Sequence, residues 1–357
     1  MNSRERVLTA MKRQGKPDRT PFEISWGAFT PELMDVYKNE TKSNLEPDEY
    51  FDFDTRSVNL NPTIKKIDFQ KYFSEKLPDN LVIDEWGIGG KPGSQKHFLE
   101  YKYHPLADCK TPEEVYAYEW PDVDADYRFE GLVEKVKNFK ERGYAVMGEL
   151  YQTIYETAWL LRGMEQFFID FHENPEIIDV ICENLMQLRV KQAEKYAQLD
   201  VDILRLGDDV TCQNGWIFGR ENYRKYFKER HRKIVAAAKK AKPDILVFLH
   251  SDGNVHELVP ELIDIGIDIL NPVQPECNDL QRLTDDFGQR ISFWGGIGTQ
   301  STMPFGSPEE VEKKTRETAG ILGKYGSLLL APTHILEPEV PWENVTTFVK
   351  TAKHCFY

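Results

Sequence analysis

The sequence predicts an α/β protein, a TIM-type (β/α)8 barrel with N-terminal additions, and three observations carry that prediction. From about residue 111 onward, short apolar runs alternate with helix-forming stretches at a spacing of 20–50 residues. Crossovers of that length pair strands in parallel. Nearly every apolar run ends in polar residues, and the C-terminal strand ends of a closed barrel form its working face. No glycine fingerprint follows an early strand, as an open dinucleotide-binding sheet requires.

The elements follow in order. Residues 3–14 read as a short charged helix stopped by Gly15 and Pro17, and Pro21-Phe-Glu-Ile24 as a first short strand. Alternation of aromatic and polar residues over Phe51–Leu60 suits a strand. Leu81–Trp86 and Lys96–Tyr103 read as an antiparallel excursion, with the glycines between them as its turn rather than a phosphate loop. Thr111-Pro-Glu-Glu114 is a helix-starting capping box with Pro at the first helical position. A helix over 130–142 leads to strand 144–148, and Asn174-Pro-Glu176 opens a long helix with Ile177, Ile178, Ile181, Leu185 and Leu188 on one face.

Strands 202–206, 245–249, 267–270, 290–294 and 327–331 then alternate with helices near 220–241, 255–265, 279–286, 308–323 and 342–354. Ile245-Leu-Val-Phe-Leu249 is apolar throughout, the pattern of a strand buried on both faces. The whole chain, 1–357, reads as one domain, with about 1–110 as extension and excursion and 111–357 as regular repeats.

Composition bounds the function. A formal net charge of −14 argues against nucleic acid and anionic membrane surfaces as partners. There is no apolar run of about 18 residues to span a membrane, and Met1-Asn-Ser-Arg-Glu-Arg6 lacks the apolar core of a signal peptide. Five scattered cysteines without a CxxC pair fit a reduced, cytoplasmic protein.

The strand ends supply Glu149, Asp208, Asp209, His250, Asp252, Asn271, Gln274, Trp294 and His334. His250 and Asp252 are two apart and share a side of an extended chain. Counting the last strand as the eighth makes the His250 strand the sixth, so that His250 and His334 face a common point. His-x-Asp with a distant His is a set that zinc accepts, whereas the same residues at strand ends also hydrogen-bond loops or substrate. Of Asp208 and Asp209, one reads as a proton donor with a raised pKa beside its neighbour; the alternative is that one caps a turn while the other is solvated. The tryptophans, Trp26 and Trp294 among them, read as core or pocket walls. His231, in the run Lys228-Glu-Arg-His-Arg-Lys233, reads as solvent-exposed.

Taken together, Tyr155-Glu-Thr-Ala-Trp-Leu-Leu-Arg-Gly163, Leu206-Gly-Asp-Asp209, His250-Ser-Asp-Gly-Asn254, Asp268-Ile-Leu-Asn-Pro-Val-Gln-Pro275, Phe293-Trp-Gly-Gly-Ile297 and Leu330-Ala-Pro-Thr-His334 resemble the uroporphyrinogen decarboxylase superfamily over roughly residues 3–355. That superfamily holds the decarboxylase of haem synthesis and the zinc methyltransferases that move methyl groups to or from corrinoid proteins and thiols. The decarboxylases resemble one another in an N-terminal Arg-Gln-Ala-Gly-Arg segment that clamps substrate carboxylates. Here the matching region is Pro21-Phe-Glu-Ile-Ser-Trp-Gly27, with neither arginine.

The resemblance therefore implies the methyltransferase-like branch, whose zinc pattern is His-x-Cys on one strand and a further Cys near the last. Asp252 and His334 stand at those cysteine positions. The site it implies has His250, Asp252 and His334 on the metal. Glu149, Asp208 and Asp209 supply protons or a further ligand, and Asn271, Gln274, Trp294 and Trp26 contact substrate. The implied reaction moves a methyl group between a small substrate and a corrinoid held by a separate protein, as in zinc-assisted O-demethylation. A metal-independent decarboxylase and a non-catalytic corrinoid- or tetrapyrrole-binding protein are the alternatives. A homodimer is compatible with the resemblance.

Overall fold

The computed structural model describes residues 1–25, 29–93 and 99–356. Seven parallel strands form one sheet in chain order: β1 (Thr55–Val58), β2 (Ala145–Leu150), β3 (Ile203–Gly207), β4 (Leu246–His250), β5 (Ile269–Asn271), β6 (Ser292–Ile297) and β7 (Leu328–Pro332). All their residues are buried except the half-buried Ser57, as the continuous apolar runs predict.

The segment 21–24 joins the two edges of this sheet. Phe22 bridges Leu330 in parallel. The Glu23 N–H donates to the Leu330 carbonyl at 3.0 Å, and the Leu330 N–H donates to the Pro21 carbonyl at 2.8 Å. On the other side, the Asp54 N–H donates to the Phe22 carbonyl at 3.2 Å. The result is the TIM-barrel fold the sequence predicts.

With segment 21–24 as the first stave, the His250 strand is the fifth and not the sixth, because only β5, β6 and β7 follow it. His250 and His334 therefore do not share a barrel layer. Their rings still approach, 6.4 Å between centroids, because His334 lies on the loop beyond β7.

Helix α1 (Ser3–Met11) explains the floor of the barrel. Asn2 and Glu5 form its capping box, the Asn2 Oδ1 accepting from the Glu5 N–H at 2.8 Å. Val7, Ala10 and Met11, at i, i+3 and i+4, face the barrel interior and pack with Met147, Ile203, Leu246, Phe248, Ile269, Trp294 and Leu329. The charged helix of the sequence reading is thus a plug with a charged outer face.

Above the floor lies a layer of polar side chains, buried except for the half-buried Ser57. Arg205 Nη1 is 3.3 Å from Glu149 Oε1, Ser57 Oγ donates to the same oxygen at 2.5 Å, and Trp294 Nε1 donates to Glu23 Oε1 at 2.9 Å.

Outside the barrel, strands Val82–Ile83, Gly89–Pro92 and Leu99–Tyr103 form an antiparallel sheet. Gly89 and Gly90 belong to its middle strand rather than to a turn. A side chain at Gly89 would lie 2.8 Å from both Leu81 and Tyr103, which is why the sequence is glycine-rich there. Residues 96–98 of the expected returning strand lie outside the described residues.

The structure adds a helix that the sequence reading leaves unassigned, α2 (Tyr155–Arg162), while predicted helices appear at α3 (Pro175–Gln198) and, within the expected 220–241, at α4 (Glu229–Ala241). A π-helix, Tyr223–Lys228, leads into α4. Among the described residues no helix is long and apolar enough to cross a membrane.

Candidate active site at the barrel mouth

The site begins at the last residue of β4. Asn271, at the end of the neighbouring β5, donates through Nδ2 to the Trp294 carbonyl at 2.9 Å, which turns its Oδ1 toward His250. That oxygen is 2.5 Å from His250 Nδ1. An amide oxygen only accepts, so Nδ1 carries the proton and Nε2 is left as the basic nitrogen.

His250 Nε2 lies 3.7 Å from Asp209 Oδ1 and 3.8 Å from Asp252 Oδ1. Asp209 Oδ1 also accepts the Asp252 N–H at 2.8 Å, which holds the two acidic loops together. One donor atom from each of Asp209, His250 and Asp252 falls within 4.8 Å of the others. Gly253 makes the turn out of this cluster at φ +93°, and a side chain there would collide with the Cys212 backbone.

Crowding of like charge shapes the electrostatics. Burial and the Asp252 carboxylate push Asp209 up, against the pull of His250. Glu156, in the first turn of α2, is pushed well above the usual carboxylate range by burial and by the charges of Asp209, Asp208 and Asp252. Burial pushes His334 down, assisted by His250 and opposed by Asp252, so its imidazole is mostly neutral at pH 7.

The residues singled out from sequence are placed differently from one another. Asp209, His250 and Asp252 converge, and His334 and Gln274 line the adjoining cleft. Asn271 is 1 % exposed and its Oδ1 is engaged by His250 Nδ1.

Trp294, expected to contact substrate, is fully buried inside the barrel and stacks edge-on against Phe248. Glu149 sits in the polar layer with Arg205 and Ser57, below the mouth. Asp208 is no proton donor to a ligand, because it is fully buried and saturated. It accepts the N–H groups of Ile154, Tyr155 and Glu156 at 2.8, 3.1 and 3.0 Å and caps α2. Asp208 is thus the capping member of the pair, while Asp209 reaches the site.

His231 is 1 % exposed and bonded to Asp208, contrary to its reading as a surface residue. Charged neighbours on both sides hid its inward face. Trp26 lies outside the described residues. Glu156 was missed, and its one signal was its place in the first turn after a strand-end loop.

The cleft beside the cluster holds about 360 Å³ and is lined by Asp252, Gln274, Thr299, Gln300, Thr333, His334, Ile335, Glu337 and Glu339. No lysine or arginine is among these lining residues. The arrangement presents nitrogen and oxygen donors, a protonatable glutamate and an acidic wall at the open end of a barrel.

The family model described as Uroporphyrinogen decarboxylase (URO-D) matches residues 108–355. A methylated-thiol–coenzyme M methyltransferase from Methanosarcina mazei is 24% identical over 250 residues, which is 68% of this chain and 62% of that protein, so the chain spans less than two thirds of that relative's length. A solved structure of a methyltransferase from Methanosarcina mazei superposes over 99% of both chains at a TM-score of 0.67 and 17% identity, a likeness of fold. On the family match over residues 108–355, this chain belongs to the uroporphyrinogen decarboxylase (URO-D) family.

Proposed function

We propose that this chain is a methyltransferase that moves a methyl group between a small methylated substrate and a corrinoid carried by a separate protein. The observation that carries the reading is the convergence of Asp209, His250 and Asp252 at the barrel mouth, with His250 Nε2 turned toward both carboxylates. The name of the Methanosarcina mazei relative supports methyl transfer as the chemistry.

The residues fit a divalent ion such as zinc. Nitrogen and carboxylate oxygen are zinc donors, and the separations of 3.7 and 3.8 Å lie close to the about 3.4 Å edge of a tetrahedron of such bonds. Asn271 adds the outer hydrogen bond that ligating histidines use to fix their tautomer. Bound there, the ion would supply a Lewis acid that draws electron density from the heteroatom bearing the methyl group. This chain's own residues do the rest. Asp209, His250 and Asp252 would hold the ion, Gln274 and His334 would wall the substrate cleft, and Glu156 would deliver a proton to a leaving oxygen. A donor set without thiolate suits an oxygen-linked methyl group, as in O-demethylation.

The decarboxylase alternative meets an opposing observation. A polycarboxylate substrate needs cationic clamps, and the cleft's lining carries Asp252, Glu337 and Glu339 instead. The five cysteines are unpaired, which suits a cytoplasmic setting.

The test is to incubate the zinc-loaded protein with Co(I) cobalamin and a panel of methoxy, methylthio and methylamine compounds, following methylcobalamin by its absorbance. Methylcobalamin formed with at least one donor, and not formed by Asp252→Ala, is the expected result. Carbon dioxide released from a carboxylic acid, with no methylcobalamin from any donor, would overturn the reading.

A further inference from the structure

The helix beside the site carries a buried polar group that the proposed chemistry does not use. His231 on α4 is 1 % exposed, and its Nε2 is 2.8 Å from Asp208 Oδ2. Asp208 already accepts three backbone N–H groups at the start of α2, so it meets His231 as an acceptor and Nε2 is the donor. The π-helix Tyr223–Lys228 directly precedes α4, a widened turn that is common near functional sites. The Tyr223 ring lies 6.0 Å from that of His231 at a tilt of 40°, and among the described residues neither the Tyr223 hydroxyl nor His231 Nδ1 has a hydrogen-bond partner. An apolar side chain would avoid that unpaired nitrogen. The imidazole is explained by what its other nitrogen does.

Asp208 is a junction of the site. Its carboxylate fixes the turn of α2 that holds Glu156, and its backbone N–H donates to the His250 carbonyl at 3.0 Å. The next residue is Asp209, whose Oδ1 takes the Asp252 N–H. Three backbone donors approach Asp208 from one side, and His231 approaches from another element altogether.

We propose that His231 is a positioning residue: its Nε2–H bond to Asp208 sets the placement of Asp209 and Glu156 about His250, and through that the affinity of the Asp209–His250–Asp252 cluster for a divalent metal. This rests on the metal-binding reading of that cluster. The effect is one of hydrogen-bond geometry, so it needs no change in the charge of His231.

The test is a Co(II) titration of the metal-free, full-length protein, reading dissociation constant and visible d–d spectrum for the wild type, His231→Leu, His231→Asn and His231→Gln, each checked for fold by circular dichroism. Glutamine places an amide N–H near the position of Nε2, whereas asparagine is too short. The expected result is one Co(II) per chain for the wild type, dissociation constants raised roughly ten- to a hundredfold for His231→Leu and His231→Asn with an altered spectrum, and values within about threefold for His231→Gln. Should His231→Leu fail to fold, the asparagine–glutamine contrast decides alone. Wild-type affinity and spectrum in a folded His231→Asn would overturn this proposal and leave the metal reading standing. No Co(II) binding by the wild type would overturn the metal reading and the proposal together.

Discussion

Asn271 Oδ1 and His250 Nδ1 lie 2.5 Å apart, and the other end of the same amide is fixed by the Trp294 carbonyl. A side chain that would otherwise be read as a substrate contact thus decides which nitrogen of His250 faces Asp209 and Asp252. Replacing Asn271 with Leu removes the acceptor while filling the space. Metal affinity is expected to fall ten- to a hundredfold, with Asn271→Asp, which keeps an acceptor, close to the wild type. Equal affinities in Asn271→Leu and the wild type, measured by competition with a chromophoric chelator, would show that the orientation of His250 is set elsewhere.

The barrel and the chemistry-bearing strand ends were legible because buried parallel strands leave apolar runs and polar caps in the sequence. His250 and Asp252 were found by that logic and do converge. What the sequence did not reveal are the partnerships across it. Asp208 and Asp209 are chemically alike, and only the position of the α2 N-terminus makes one a cap and the other part of the site. Trp294 ends a strand in the apolar pattern, yet the strand continues to Ile297 and leaves the indole in the barrel interior. His231 sits in a run of charges whose periodicity the preceding π-helix shifts. Glu156 carries no pattern of its own.

Below the site, Arg205 and Glu149 are each 1 % exposed at the side chain, and Glu23 shares the same layer. Burial pushes the Glu23 carboxyl up, and the Arg205 charge pulls it back. Arg205→Met would leave two buried carboxyl groups without their cation. A loss of about 3–5 kcal/mol is expected from breaking a buried pair on one side. Chemical denaturation measures it, and a wild-type midpoint would mean that the layer is hydrated rather than ion-paired.

Outside the metal cluster, Glu261 is 2 % exposed beneath Arg224, Lys228 and Arg220. Burial alone would raise its carboxyl, but hydrogen bonds from those three cations bring it from an ordinary 4.5 down to about 2. A depressed acid stabilises the fold above its unfolded value, and that contribution is lost as pH falls from about 4.5 through 2. Glu261→Gln should therefore be less stable than the wild type at pH 7, by roughly 1–2 kcal/mol given the exposure of two of its cations. The gap should close as the pH is lowered through that window. A gap that stays constant from pH 7 to pH 2.5, in parallel urea titrations, would assign the loss to packing.

Two donor sets compete for the metal at the mouth, and they differ in one residue. The sequence pairs His250 and Asp252 with His334, whereas the structure brings Asp209 to the same two. His334 faces them across the cleft, its ring 6.4 Å from that of His250, where a neutral imidazole is placed to meet substrate or to accept a proton. Asp209→Ala is therefore expected to lose most bound metal, because it removes both a donor and the acceptor of the Asp252 N–H. His334→Ala should keep at least half the wild-type metal and lose turnover instead, with a larger effect on kcat than on metal content. Metal analysis of the two variants beside the wild type separates the sets. If His334→Ala is the one that comes off the column empty, His334 is a ligand and the cleft must close by movement of its loop on binding the ion.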